Sequence, residues 1–225
     1  ASLLQPSRWG VILDALGEAA MQRPLTLLFA AGFPFGIFAL RRRIAGRMVL
    51  AGVRGARAST DRYRETVICL LLAFLQGAAI SIPVLLVGWL LADVRIGNDF
   101  ATIVGRNLMT AAWYLLWLGT IRAIVRPDGL AERHFGWSQT SMNAIRAATI
   151  PLFVTVPIGF LDRVCDPGAL ELPDAGRLFY GLLPICFMTT AYILLNPAKG
   201  LFVRTISERP DGRLAQTPWL PVLSA

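Results

Sequence analysis

Charged residues are scarce in this sequence. Only 16% of its 225 residues are Asp, Glu, Lys or Arg, whereas 55% are hydrophobic, and the mean hydropathy is +0.57. An ordinary soluble domain carries more charge. The composition therefore argues against a soluble domain and favours a membrane protein. Because backbone groups in lipid must pair within the chain, we expect an all-α fold, a polytopic bundle of transmembrane helices.

Catalytic and metal-binding patterns are also missing. His134 is the single histidine, no HExxH sequence occurs, and no serine on a glycine-flanked turn accompanies a histidine at similar depth. The three cysteines, Cys69, Cys165 and Cys186, are odd in number and lack CxxC spacing, which indicates neither a disulfide framework nor a zinc site. We therefore expect no enzyme activity and no cofactor, and we expect the thiols to be buried or unpaired.

Five apolar stretches are long enough to be transmembrane helices, since crossing the hydrocarbon takes about 20 mostly apolar residues. The predicted spans are residues 24–40, 67–92, 103–125, 144–161 and 178–195. The fourth contains two prolines, which leaves open a shallow or re-entrant path. No Asp, Glu, Lys or His lies in the middle of any span, and this argues against a proton-coupled carrier.

The segments outside these spans predict surface structure. Residues 1–23 have apolar residues at helical spacing, which predicts an amphipathic lead-in helix on the outer face. Residues 196–225 predict a cytoplasmic loop leading to a further span. The arginine-rich link at residues 41–65 suits either a helix that binds anionic lipid headgroups or a solvated loop that sets topology. Its lack of aromatics apart from Tyr63 argues against nucleic-acid binding.

The basic residues are distributed unevenly among the predicted loops. Most of the 22 lysines and arginines fall on one side of the membrane, in residues 41–66, 122–146 and 196–225. The positive-inside rule then places the N-terminus outside and the C-terminus in the cytoplasm. The candidate headgroup contacts are Arg41, Arg42, Arg43, Arg47, Arg126 and Arg133.

The sequence RPDGLAERHFGW, residues 126–137, connects the third and fourth predicted spans. Its proline and glycine are typical of a turn, and its aromatic residues suit the membrane interface. We predict a cytoplasmic joint rather than an active-site loop, although Glu132 and Ser138 lie near the histidine in sequence. The joint residues are Pro127, Gly129, His134, Phe135 and Trp137. His134 is compatible with pH sensing and with a purely interfacial role.

Prolines occur in four of the five predicted spans. They are Pro34, Pro83, Pro151, Pro157 and Pro184. Each is a candidate kink, and kinked helices can change shape as a bilayer thins, but ordinary tolerance of proline in membrane helices explains them equally well. The sequence GFPFG at residues 32–36 has the small-xxx-small spacing typical of close helix packing.

Several of these stretches resemble one family. They are RPDGLAERHFGW, QRPLTLLFAAGFPFGIFALRRRI at residues 22–44 and ETVICLLLAFLQGAAISIPVLLVGWLL at residues 65–91. They are similar to the inner-membrane helical region of the large mechanosensitive channels of the MscS superfamily, the MscK type. The resemblance covers nearly the whole chain.

The resemblance implies part of a larger channel subunit. In that family a periplasmic domain precedes these helices, and further helices, a pore helix and a cytoplasmic vestibule follow, in a ring of seven subunits. The chain would then supply peripheral helices in the bacterial inner membrane that contact lipid and respond to tension, with the pore in other parts of the parent chain. The residues alone also allow a neutral-solute transporter domain or a purely structural membrane anchor.

Overall fold

The computed structural model describes residues 6–56, 62–93, 99–127, 129–133, 136–165 and 173–196. All regular structure in these ranges is helical, which confirms the predicted all-α class. The helices are α1 (Pro6–Gln22), α2 (Pro24–Ala56), α3 (Arg62–Ala92), α4 (Asp99–Ile124), α5 (Leu130–Arg133), α6 (Gln139–Val164) and α7 (Pro173–Leu195).

A sharp bend separates α1 from α2. The axes of Ile12–Gln22 and Pro24–Leu40 differ by 105°. The bend lies at Arg23 because a proline disfavours the helical conformation of the residue before it, while the proline itself is well suited to the first position of a helix. As a result, α1 runs across the direction of α2 instead of extending it.

One side of α1 is buried against the rest of the bundle. Ile12 and Ala15 form a core cluster with residues of α3, α4 and α6, namely Leu91, Ala101, Val104 and Val164. On another side of the same helix, Asp14 and Glu18 are exposed. The helix thus covers the ends of three others with its apolar face.

The arginine cluster does not end α2. This helix has 33 residues, about 50 Å at 1.5 Å per residue, whereas the hydrocarbon core of a bilayer is about 30 Å thick. The first predicted span is therefore the beginning of a longer helix, and the arginine-rich link starts as its continuation. Residues 41–56 include five arginines and three alanines, which are good helix formers, and they contain no proline.

Three helical segments are long and apolar enough to cross a membrane: Thr66–Ala92, Gln139–Val164 and Gly176–Leu195. The bent pair of α1 and early α2 would add a fourth. The predicted third span lies in α4, which has 26 residues but does not meet the same criterion. Arg106, Asn107 and Arg122 lower the hydropathy of this helix. The count of five spans stays a prediction.

The long helices pack in chain order. α2 packs on α3, α3 on α4, α4 on α6, and α6 on α7. The α3–α4 contact is the most extensive, and the α4–α6 contact is smaller than those on either side of it. Across the described ranges α2 and α7 lie at opposite ends of this row and do not pack extensively on each other. The bundle is therefore open.

Glycines bring the backbones of α3 and α4 together. A Cβ placed on Gly77 would lie 2.7 Å from the carbonyl oxygen of Leu116. One placed on Gly105 would lie 2.5 Å from the backbone nitrogen of Ala92 and 2.6 Å from the carbonyl oxygen of Gly88. Contacts this short exclude any side chain, so glycine is required at both crossing points.

The sequence GFPFG makes no such contact within the described chain. A Cβ on Gly32 or Gly36 would meet nothing within 4 Å. The side of α2 that packs on its neighbours is marked instead by the buried residues Ile37 and Ile44, seven residues apart. The spacing of the small residues therefore marks a face of α2 that packs on no other helix of the described chain. The buried apolar residues, seven positions apart, mark the face that packs inside the bundle.

We expect Gly105→Val to destabilise the bundle. Overpacking commonly costs about 1–3 kcal/mol, and here the obstacle is backbone, which cannot rotate aside. Gly181→Val on α7 is the matched control, because a Cβ there meets nothing within 4 Å. Thermal unfolding of the purified protein in detergent compares the two variants. Equal losses would contradict the packing described for α3 and α4.

Candidate functional site at the membrane surface

The open bundle exposes a large apolar surface. In the most apolar stretch of each candidate span, 22% of the residues are buried in α3, 11% in α6 and only 6% in α7. Large side chains such as Leu178, Phe187 and Met188 are exposed on α7. In water a surface of this extent would lead to aggregation, whereas in a bilayer it contacts acyl chains. The helices are suited to contact lipid over most of their length.

Arg23, at the bend between α1 and α2, is held by the end of α3. Its Nη2 lies 2.6 Å from Oδ2 of Asp93, and its Cζ lies 4.5 Å from the ring centre of Trp89. The two charged side chains are 28% and 25% exposed, so water screens the ion pair only in part. Nη1 of Arg23 is buried without a hydrogen-bond acceptor among the described residues. The guanidinium therefore depends on these two partners, and they fix the bend.

The joint between α4 and α6 is more buried than an ordinary loop. Val125, Ala131 and Met142 form one buried cluster. Leu130 is buried against Cys69 of α3. The joint is thus part of the core at this end of the bundle.

Two glycines shape the backbone of the joint. Gly129 donates its N–H to the carbonyl oxygen of Arg126 at 2.9 Å, and a Cβ on it would lie 2.7 Å from that oxygen. Gly136 has a φ of 63°, a conformation that glycine adopts without steric cost. The N–H of Gly136 donates to the carbonyl oxygen of Glu132 at 3.0 Å, which closes the short α5.

The polar side chains beside the joint cap and connect helices. Oγ of Ser138 accepts the N–H of Ser141 at 3.2 Å and so caps α6. Nε2 of Gln139 donates to Oε1 of Glu132 at 2.9 Å. The predicted roles of His134 and Phe135 lie outside the described residues. Ser138 and Glu132 thus have structural partners of their own.

Arg146 ties α6 to the end of α4. Its Nε donates to the carbonyl oxygen of Val125 at 2.7 Å, Nη2 donates to the same oxygen, and Nη1 donates to Oδ1 of Asn143 at 3.2 Å. Val125 follows the last residue of α4, so the guanidinium also offsets the negative end of the helix dipole. In the sequence Arg146 is recognisable only as a basic residue, because no local pattern connects it to a carbonyl 21 residues away.

The predicted headgroup arginines lie at one end of the bundle. Arg43 and Arg47 are exposed on the extension of α2, and Arg126 is exposed beside Pro127 in the joint. Because α2 packs on α5, these two groups are neighbours. The side chains of Arg41, Arg42 and Arg133 lie outside the described residues. Trp137 is exposed near the start of α6. The lipid-binding role of these residues stays a prediction.

The five candidate kink residues lie inside continuous helices. Pro34 is in α2, Pro83 in α3, Pro151 and Pro157 in α6, and Pro184 in α7. Each removes one donor from its helical hydrogen-bond ladder. The sharp bend found in the described chain lies between α1 and α2 instead. Kinking at these prolines stays a prediction.

The cysteines form no disulfide, and two of them are buried. Cys165, which ends α6, has its pKa raised above the ordinary thiol value, first by burial and second by the Asp162 carboxylate. At neutral pH it is therefore a protonated, packed side chain. Among the described residues no group of three or more His, Cys, Asp and Glu side chains is arranged to hold a metal ion.

Comparison with known proteins gives one result for this chain. Residues 24–225 match the family described as mechanosensitive ion channel inner membrane domain 1. Searches of curated proteins and of solved structures returned no match. The matched range begins at the first residue of α2 and includes all the helices that follow.

The ion pair at the bend can be tested with a double-mutant cycle of Arg23→Gln and Asp93→Asn. Each single change removes one half of a partly buried ion pair, and loss of such a contact commonly costs about 1–3 kcal/mol. The double variant should lose less unfolding free energy than the two single variants lose together, and the difference, the coupling energy, should be at least about 0.5 kcal/mol. Unfolding in detergent measures all four proteins, with the exposed Arg43→Gln as control. If the losses of the two single variants add up to the loss of the double variant, the two side chains are not coupled and this prediction is wrong.

Removal of the Arg146 guanidinium should loosen the joint. Arg146→Met deletes three hydrogen bonds from a charged donor, and we expect a loss of about 1.5–3 kcal/mol in unfolding free energy. Arg163→Met, at an exposed position in the last turn of the same helix, should cost no more than about 1 kcal/mol. Hydrogen exchange at residues 129–133 should also accelerate in the first variant only. Similar effects of both changes would refute this assignment.

Proposed function

Because the chain belongs to the mechanosensitive ion channel inner membrane domain 1 family, we propose that its helices sense bilayer tension for a pore that lies in other parts of the parent chain. Family membership makes residues 24–225 part of the membrane region of a mechanosensitive channel, which is an oligomeric, lipid-contacting and non-enzymatic kind of protein. Tension sensing by these particular helices is the proposed step.

The open row of helices is the observation that supports this role. Tension favours whichever state of a protein occupies more area in the membrane plane, and it does so only through the difference between states. A closed bundle resists such a change because its core must be broken. In this chain α6 and α7 form one unit that joins the others through the smaller α4–α6 contact. Movement at that contact would change the area while keeping the tightly packed α3–α4 pair.

The distribution of charge supports a particular orientation. We propose a periplasmic N-terminus, a cytoplasmic C-terminus and a bacterial inner membrane, with the arginine-rich end of α2 and the joint meeting anionic headgroups on the cytoplasmic side. The remaining domains of an MscK-type parent and a ring of seven subunits complete this proposal, which rests on the family resemblance. A neutral-solute transporter domain and a structural anchor are the competing functions.

The sensing role can be tested on α7, the least buried of the candidate spans. Phe187→Asn combined with Met188→Asn makes contact with acyl chains unfavourable at two exposed positions. In patches that hold the complete channel, we expect a shifted pressure threshold and an unchanged unitary conductance, because the pore is elsewhere.

The control is Phe187→Leu combined with Met188→Leu, which keeps both positions apolar and should leave the threshold near its original value. An unchanged threshold in the asparagine variant would favour the structural anchor. A large change in conductance would place these helices at the pore and contradict the proposal. Saturable uptake of a neutral solute would favour the transporter.

A further inference from the structure

One face of α4 carries bulky hydrogen-bond donors without acceptors. Trp113, Tyr114 and Trp117 are 56%, 63% and 60% exposed. With the exposed residues Arg106 and Thr110 they form a continuous row at helical spacing, which we call the α4 stripe. No residue in the described ranges accepts a hydrogen bond from the indole N–H groups or the phenol hydroxyl.

The α4 stripe lies near the middle of the membrane. Trp113 lines a small cavity together with Ser81, Ile82 and Leu85. These α3 residues lie close to the centre of its uncharged stretch, residues 67–92. In a hydrocarbon core of about 30 Å, the oxygens of lipid headgroups begin about 15 Å from the centre.

Such a depth decides what can cover these donors. Tryptophan and tyrosine normally lie at the membrane interface, where their polar groups find water or headgroups. At mid-membrane only acyl chains are available, and they accept no hydrogen bond. A protein helix supplies acceptors at this depth, since each helical carbonyl oxygen has a second lone pair.

We propose that the α4 stripe binds α2 of a second copy of this chain. The outward face of α2 offers Gly32 and Gly36 at the middle of residues 24–40, with nothing within 4 Å of a Cβ placed on either. Absence of side chains there leaves carbonyl oxygens accessible and makes a groove into which aromatic rings fit. The bulky residues of one helix thus face the small residues of the other at the same depth.

The charges of the two surfaces are complementary. Both α2 and α4 begin at the same end of the bundle, because Arg23 pairs with Asp93 and Gly105 contacts Ala92. Arg106 lies about 10 Å from Trp113 towards that end and has no ion pair within the described ranges.

The acidic side chains that would face it belong to α1 of the second copy. In that helix Asp14 and Glu18 are exposed just before α2 begins. Because α1 lies at the end of the bundle where α2 and α4 begin, docking α2 against the α4 stripe would place these carboxylates at the same end of the assembly as Arg106. The charges and the aromatic contact are therefore compatible with the same arrangement.

The proposed contact joins two different surfaces. α2 lies at one end of the row of helices, whereas the α4 stripe lies on a helix in its interior. In a pair of copies joined by such a heterologous contact, one α2 face and one α4 stripe remain unoccupied. Further copies can bind there, and the assembly can close into a ring. It concerns assembly only and does not depend on tension sensing, so the two proposals succeed or fail separately.

Cross-linking between two differently tagged copies tests the contact. One copy carries Gly36→Cys and the other Trp113→Cys, both in a Cys186→Ser background, in native membranes. A Cβ at Gly36 meets nothing and Trp113 is exposed, so both variants should fold, while Cys69 and Cys165 are buried. A short bifunctional thiol reagent should give a dimer that carries both tags. Absence of this mixed dimer overturns the proposal.

Two further arms make the result specific. Leu178→Cys, exposed on α7, replaces Gly36→Cys as the control and should give little mixed dimer. Arg106→Glu in the tryptophan-variant copy should reduce the cross-link severalfold, and Glu18→Arg in the other copy should restore it. Equal yield with the α7 control, or failure of the charge exchange to restore the yield, would refute the proposed pairing.

Discussion

The close contact between the backbones of α3 and α4 is the constraint on which the other helices depend. Within lipid there is little hydrophobic force between apolar helices, so association relies on packing at short range and on polar contacts. Gly77 and Gly105 allow that packing because they carry no Cβ. With this pair fixed, α2 packs on α3, and α6 packs on α4.

Arginines connect the helices where glycine packing ends. At one end Arg23 joins the α1–α2 bend to α3 through Asp93 and Trp89. At the other end Arg146 holds the terminal carbonyl group of α4. A guanidinium suits both places, because its planar donors bind an acceptor firmly while its long apolar stem remains packed. These contacts limit the relative movement of helices that otherwise touch through fewer side chains.

The proposed function rests on what this framework leaves uncovered. A tightly packed pair at the centre and an open row on either side give a stable scaffold with a large lipid-facing area. In a mechanosensitive channel family, that division suits the proposed role, in which the peripheral helices would respond to the membrane while the central pair keeps its shape. The exposed aromatic residues of α4 are the exception, since their donors are poorly suited to lipid, and the proposed contact with another copy would supply acceptors for them.

The sequence by itself determined the membrane class, the helical fold and the family, because apolar length, scarce charge and a few motifs are local properties. It predicted the approximate position of the joint for the same reason. It did not determine the partners of Arg23 and Arg146, which contact residues 70 and 21 positions away. Nor did it show which glycines lie between helices. GFPFG and Gly105 are both compatible with close packing, and only the tertiary arrangement, set by apolar faces such as that of Ile37 and Ile44, decided between them.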